Sequence, residues 1–133
     1  VCPLGTEAAA TVLANGSLLL ELGYEAQEFG EGTVILRQIP MDLDPEQARD
    51  SITQLAEDLM EGRREDRDTL RDNLLHTIAC KAAIKGGWHT DPKELEALAR
   101  TVMSREDLKY CPHGRPICVK LTQRQLEHRF GRA

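Results

Sequence analysis

The chain has 133 residues, 41% of them hydrophobic and 29% charged, with a net charge of −5. That balance excludes a disordered chain, and no apolar run approaches the ~20 residues of a membrane span. Aromatics are only 4%, with Trp88 the one tryptophan, which argues against a base-stacking surface for single-stranded nucleic acid. The length suits one compact domain or two small lobes. Val1-Cys2-Pro3-Leu4-Gly5 has neither the charged nor the apolar region of a signal peptide. With no initiator Met, the chain is read as a piece of a larger protein.

The first expected element is a helix over about 6–22, capped by Thr6, with Ala9, Val12, Leu13, Leu19 and Leu20 on its apolar face. Asn15-Gly16-Ser17 is a soft spot inside it, and Gly23 is its stop. A hairpin follows, with strands over 24–29 and 33–39 around Gly30-Glu31-Gly32, and Pro40 ends it. Asp44-Pro45-Glu46-Gln47 opens the next helix: an acidic cap, proline at the first helical position, and glutamine to close a capping box. Ala48, Ile52, Leu55, Ala56 and Leu59 are its buried stripe, and Gly62 ends it. A longer helix spans about 66–85, with Leu70, Leu74, Ile78 and Ala82 recurring every four residues before Gly86-Gly87. Asp91-Pro92 repeats the capping device for a helix through Leu95, Leu98, Ala99 and Val102. Residues 117–121 read as a short β run. Thr122-Gln123-Arg124-Gln125 caps a last helix with Leu126 and Phe130 inward. The pattern is α+β, in two small lobes: a helix-hairpin-helix lobe over 1–62 and a mixed α/β lobe over 63–133. A lone strand is unstable, so 117–121 needs the hairpin or a strand from elsewhere as its partner.

Cysteines at 2, 80, 111 and 118 lack the paired spacing of a disulfide scaffold and are read as reduced, hence cytoplasmic. The charge is uneven. From Lys109 onward six Lys/Arg (109, 115, 120, 124, 129, 132) face one acid, Glu127, so this end carries +5 and residues 1–108 carry −10. Such an end can touch phosphates, or it can be a solvated helix face.

Cys111-Pro112-His113-Gly114-Arg115-Pro116 is the stretch richest in chemistry. Pro112 stiffens a turn, and Gly114 permits a positive φ that lets the thiol and the imidazole converge. Sulfur plus imidazole suits zinc. The plain alternative is a tight turn with one surface His and one half-buried Cys. Cys80 lies some 80° from the Leu70/Leu74 direction at about 100° per residue, on the flank of the buried stripe, where it is either a ligand or a small hydrophobe. His76 and Cys80, four apart on one helix face, are a rival chelating pair. His89 and His128 read as surface residues. Cys2 and Cys118 read as packing, with Cys118 alternating against Ile117 and Val119.

Ala79-Cys80-Lys81-Ala82-Ala83-Ile84-Lys85, then Cys-Pro-His-Gly-Arg-Pro, then Phe130-Gly131-Arg132 resemble the C-terminal domain of the MutL mismatch-repair endonucleases. Leu18-Leu19-Leu20-Glu21-Leu22-Gly23-Tyr24 through Pro40 resembles that family's regulatory lobe. The resemblance covers essentially the whole chain. It implies an external regulatory lobe (1–62) and part of a dimerisation lobe (63–133). It implies zinc ligands at Cys80, Cys111 and His113, with a regulatory or structural role beside a site that nicks DNA with Mn²⁺ or Mg²⁺. Phe130 and Arg132 match the family's C-terminal Phe-x-Arg element. By their own chemistry Arg115 and Arg132 can hold a phosphate bidentately or offset developing charge, the plain alternative being a helix-terminal salt bridge. It further implies a homodimer, DNA, a sliding clamp and a MutS-type mismatch-recognition protein as partners, an ATP-binding parent, no membrane, and action at the bacterial nucleoid. Val1-Cys2-Pro3 looks like the end of a clamp-binding motif. The family's Asp-Gln-His-Ala-x-x-Glu signature is not among these residues. The expectation is therefore a nicking parent and a chain inactive alone. The alternative is a non-catalytic dimerisation and partner-binding module with structural zinc. A zinc deaminase is set aside, because no paired Cys-x-x-Cys or His-x-Glu is present.

Overall fold

The computed structural model describes residues 1–112 and 114–132, so His113 and Ala133 lie outside the description. The chain divides into two compact units, 1–85 and 86–133. The expected junction at 62/63 is a turn inside the first of them. The fold is α+β: among the described residues, six α-helices and one three-stranded antiparallel sheet.

The first unit opens with a strand that the hydrophobic pattern does not announce. β1 (Cys2–Pro3) pairs with β3 (Thr33–Gln38), which also pairs with β2 (Glu25–Glu28), giving the order β1-β3-β2. Cys2 sits opposite Val34 and is buried, as its packing role anticipates. The amides of Leu4 and Gly5 both donate to the Gly32 carbonyl at 2.9 Å. Gly32 holds φ +65°, and a Cβ there would come within 3.0 Å of the Gly5 backbone, so only glycine fits this crossing.

The expected helix over 6–22 divides in two, α1 (Thr6–Ala14) and α2 (Gly16–Glu21). The break is at Asn15, whose backbone leaves the helical region and whose side-chain amide donates to the Thr11 carbonyl at 2.8 Å. Asparagine offers the backbone a local alternative to the next helical bond. Thr6 is not the cap; Gly5 holds that position without a side-chain bond. α2 ends as its sequence suggests. Gly23 takes φ +98°, its N–H returns to Leu20, and that of Tyr24 returns to Leu19, a Schellman closure.

α3 (Pro45–Glu61) is fixed by its sequence. The Gln47 amide donates to Asp44 Oδ1 at 2.8 Å and the Asp44 amide to Gln47 Oε1 at 3.0 Å, a complete capping box. Its buried face is Ala48, Ser51, Ile52, Leu55, Ala56 and Leu59. α4 (Arg67–Ala82) is capped by Asp66 and buries Leu74, with Leu70, Ile78 and Ala82 packed against the core. Thr77 donates to Asp58 at 2.6 Å and Gln47 to the Lys81 carbonyl at 3.3 Å, tying α4 to α3. Tyr24 OH meets Ser51 Oγ at 2.5 Å in the core, and Ser51 in turn donates to the Ala48 carbonyl at 2.8 Å. Burial raises the Tyr24 pKa, an effect partly offset by the Ser51 hydroxyl.

The second unit holds α5 (Pro92–Ser104), a 3-10 turn (Glu106–Leu108) and α6 (Gln123–Arg129). Asp91 and the Thr122/Gln125 box cap the two α-helices, as their sequences suggest. Arg105 grips Asp107 with two bonds of 3.0 and 2.6 Å, which raises the pKa of Arg105 and lowers that of Asp107. Two expectations fail here. Residues 117–121 form no strand; the local pairing is one isolated bridge, Tyr110 to Pro116. β propensity alone does not make a strand where no ladder receives it. Leu126 and Phe130 do not point inward but stand 40% and 78% exposed.

Candidate metal centre

The backbone around Cys111 closes on itself. The Cys111 amide donates to the Arg115 carbonyl at 2.8 Å, and the Gly114 amide donates to the Cys111 carbonyl at 2.9 Å. Just outside, the Ile117 amide donates to the Lys109 carbonyl at 3.0 Å. Gly114 sits at φ +82°, the release the sequence requires of it. The result points the Arg115 amide at Cys111 Sγ, 3.4 Å away. The sulfur so held is a soft donor of the kind that suits zinc. Cys111 is half-buried, one of few such residues in its unit.

Cys80 lies in the last turn of α4, in the first unit, and is also half-buried. The Lys85 ammonium donates to its carbonyl oxygen. Cys111 belongs to the second unit, and His113 lies outside the described residues. Among the described residues no group of three or more His, Cys, Asp or Glu side chains is arranged to hold a metal ion. Cys118 is exposed, so neither the packing role nor the strand alternation expected of it is seen. Arg115 and Arg132 are exposed, and neither side chain forms an ion pair with a described residue.

One arrangement was not resolved from sequence. On α6, Arg124, His128 and Arg129 line a single surface groove of about 450 Å³ with Leu121, Thr122 and Gln125. The i,i+4 spacing of Arg124 and His128 was the available signal, but His128 reads as an ordinary surface residue without the groove. No helix of the described residues is long and apolar enough to cross a membrane.

Residues 1–90 match the family model described as the MutL C terminal dimerisation domain. Similar proteins include the DNA mismatch repair protein MutL of Thermoanaerobacter pseudethanolicus, 35% identical over 86% of this chain and 19% of the relative. That of Heliobacterium modesticaldum is 33% identical over 86% of this chain and 17% of the relative. That of Ligilactobacillus salivarius is 32% identical over 96% of this chain and 19% of the relative. The chain thus spans about a fifth of the length of these curated relatives. With the matched region covering the sheet and helices α1 to α4, the chain belongs to the MutL family, in its C-terminal dimerisation domain.

Proposed function

We propose that this chain pairs two copies of a cytoplasmic mismatch-repair protein, and that the whole protein nicks DNA with manganese or magnesium ions beside a zinc site. The family match carries the repair role. Pairing is supported by the second unit, where Leu98, Ile117, Leu121 and Phe130 are 44% to 78% exposed and no described hydrophobic residue is fully buried. Apolar surface on so small a unit is the kind a partner covers. In the whole protein the partners would be DNA, a sliding clamp and a MutS-type recognition protein.

Cys80, Cys111 and His113 would hold the zinc, the Cys111 turn being the observation that supports it. Two sulfurs and one nitrogen leave a tetrahedral ion one ligand short, so water or a carboxylate would complete it. Bound zinc would hold both sulfurs as thiolates and add positive charge near the phosphate. Arg115 and Arg132 would present planar N–H forks to that phosphate. No Asp-x-His-x-x-x-Glu run occurs in these residues, and this favours a chain that does not cut by itself. The same observation favours a second reading, a non-catalytic dimerisation module with structural zinc.

The test is metal content of the purified chain, with nicking of supercoiled plasmid in Mn²⁺ on the same sample. Zinc near one per chain, lost in Cys111→Ala and His113→Ala but kept in Cys118→Ala, is the expected result. Equal metal in all three variants would end the ligand assignment. Nicking abolished by His113→Ala would show that the chain cuts unaided.

A further inference from the structure

The α6 groove is rich in cations for an acidic chain. Two arginines, a histidine, a threonine and a glutamine line it with Leu121, and no acid does. The one acid of the segment, Glu127, accepts from Gln123 at 2.8 Å and lines a different groove, with Phe130 and Arg132. Elsewhere arginines are commonly matched: Arg63 with Glu7, Arg67 and Arg71 with Glu21, Arg100 with Glu96, and Arg105 with Asp107. From Arg115 onward Lys120, Arg124, Arg129 and Arg132 join it in making no ion pair with a described residue. An acidic chain that leaves its terminal cations unmatched has a surface charged for an anion.

We infer that the α6 groove seats the backbone of duplex DNA, with Arg124 and Arg129 on phosphates and His128 beside them. Arginine's fork fits a phosphate's two oxygens. The groove has no aromatic side chain on which a base could stack, so contact is to the backbone and independent of sequence. An open groove with two arginines and no acid suits a backbone of successive phosphates better than a single small phosphate. This deepens the DNA reading above and rests on it. Its readout is binding without manganese or magnesium, so failure of the zinc or cleavage reading leaves the test standing.

The experiment is fluorescence anisotropy of a labelled short duplex with the 133-residue chain across a salt series. Circular dichroism checks that each variant is folded. Arg124→Ala/Arg129→Ala is expected to weaken binding about tenfold at low salt and to flatten the log–log salt slope by about two, the loss of two phosphate contacts. Arg124→Lys/Arg129→Lys should keep the slope, and Arg64→Ala, an exposed cation of the first unit, should change neither quantity. Unchanged affinity and slope in the double alanine variant would overturn the inference. So would an equal loss in Arg64→Ala, or no binding by the wild-type chain at the lowest salt.

Discussion

The two units of this chain are built on opposite terms. Every fully buried hydrophobic side chain among the described residues belongs to residues 1–85, where Val12, Leu19, Tyr24, Ile52, Leu55 and Leu74 are sealed from water. In 86–133 the helices are capped as well as those of the first unit, yet Leu95, Leu98, Leu121 and Leu126 stay 40% or more exposed. Local signals therefore suffice to write a helix, but only a nonlocal partner face turns an apolar stripe into a core. The first unit carries that partner within itself, in α3 against α4 and in the sheet. In the second unit the described apolar side chains are left partly or largely exposed.

The contrast breaks most visibly under truncation. Leu74→Ala in the first unit is expected to cost about 2–5 kcal/mol in urea unfolding. Leu98→Ala in the second, at low protein concentration, is expected to cost less than about 0.5 kcal/mol. Similar losses at both sites would erase the distinction.

Tyr24 sharpens the picture of the first core. Tyr24→Phe should cost about 0.5–1.5 kcal/mol, no more, because Ser51 keeps its bond to the Ala48 carbonyl. The pH dependence has a definite sign. Burial raises the folded-state pKa above its usual value, so the folded protein prefers the neutral phenol. That contribution is complete below about pH 10, the unfolded value, and is lost as pH rises through the folded one. Alkaline unfolding should be steeper in the wild type than in Tyr24→Phe, and identical profiles would remove Tyr24 as the source. The smallest effect is at the α3 cap: Asp44→Ala should cost about 1 kcal/mol, read in the same urea titration, since the capping box loses its acceptor.

What the sequence made legible follows the same division. Asp44-Pro45-Glu46-Gln47 and the Leu70/Leu74/Ile78 repeat depend on neighbours within a turn or two, and both read correctly. β1 did not, because two residues carry no pattern and their strand exists only through Val34 and Thr33, some thirty positions away. Asn15 marked a weak point, but its bond to Thr11, which divides the helix, depends on a side-chain choice that periodicity does not report. Residues 117–121 had the composition of a strand without a ladder to join. At the candidate site, the turn of Cys111 and Gly114 followed from residue types. The assignment of Cys80 and His113 as its companions came from the family resemblance, since no spacing links α4 to a turn thirty residues on.

The most direct test of the account is sedimentation equilibrium of the chain and of Leu98→Asp over a range of concentrations. The expected result is the mass of two chains for the wild type, moving toward one chain in the variant, with the first unit still folded by circular dichroism. A wild-type chain that stays at the mass of one chain at every concentration would contradict the claim that a second copy covers the second unit.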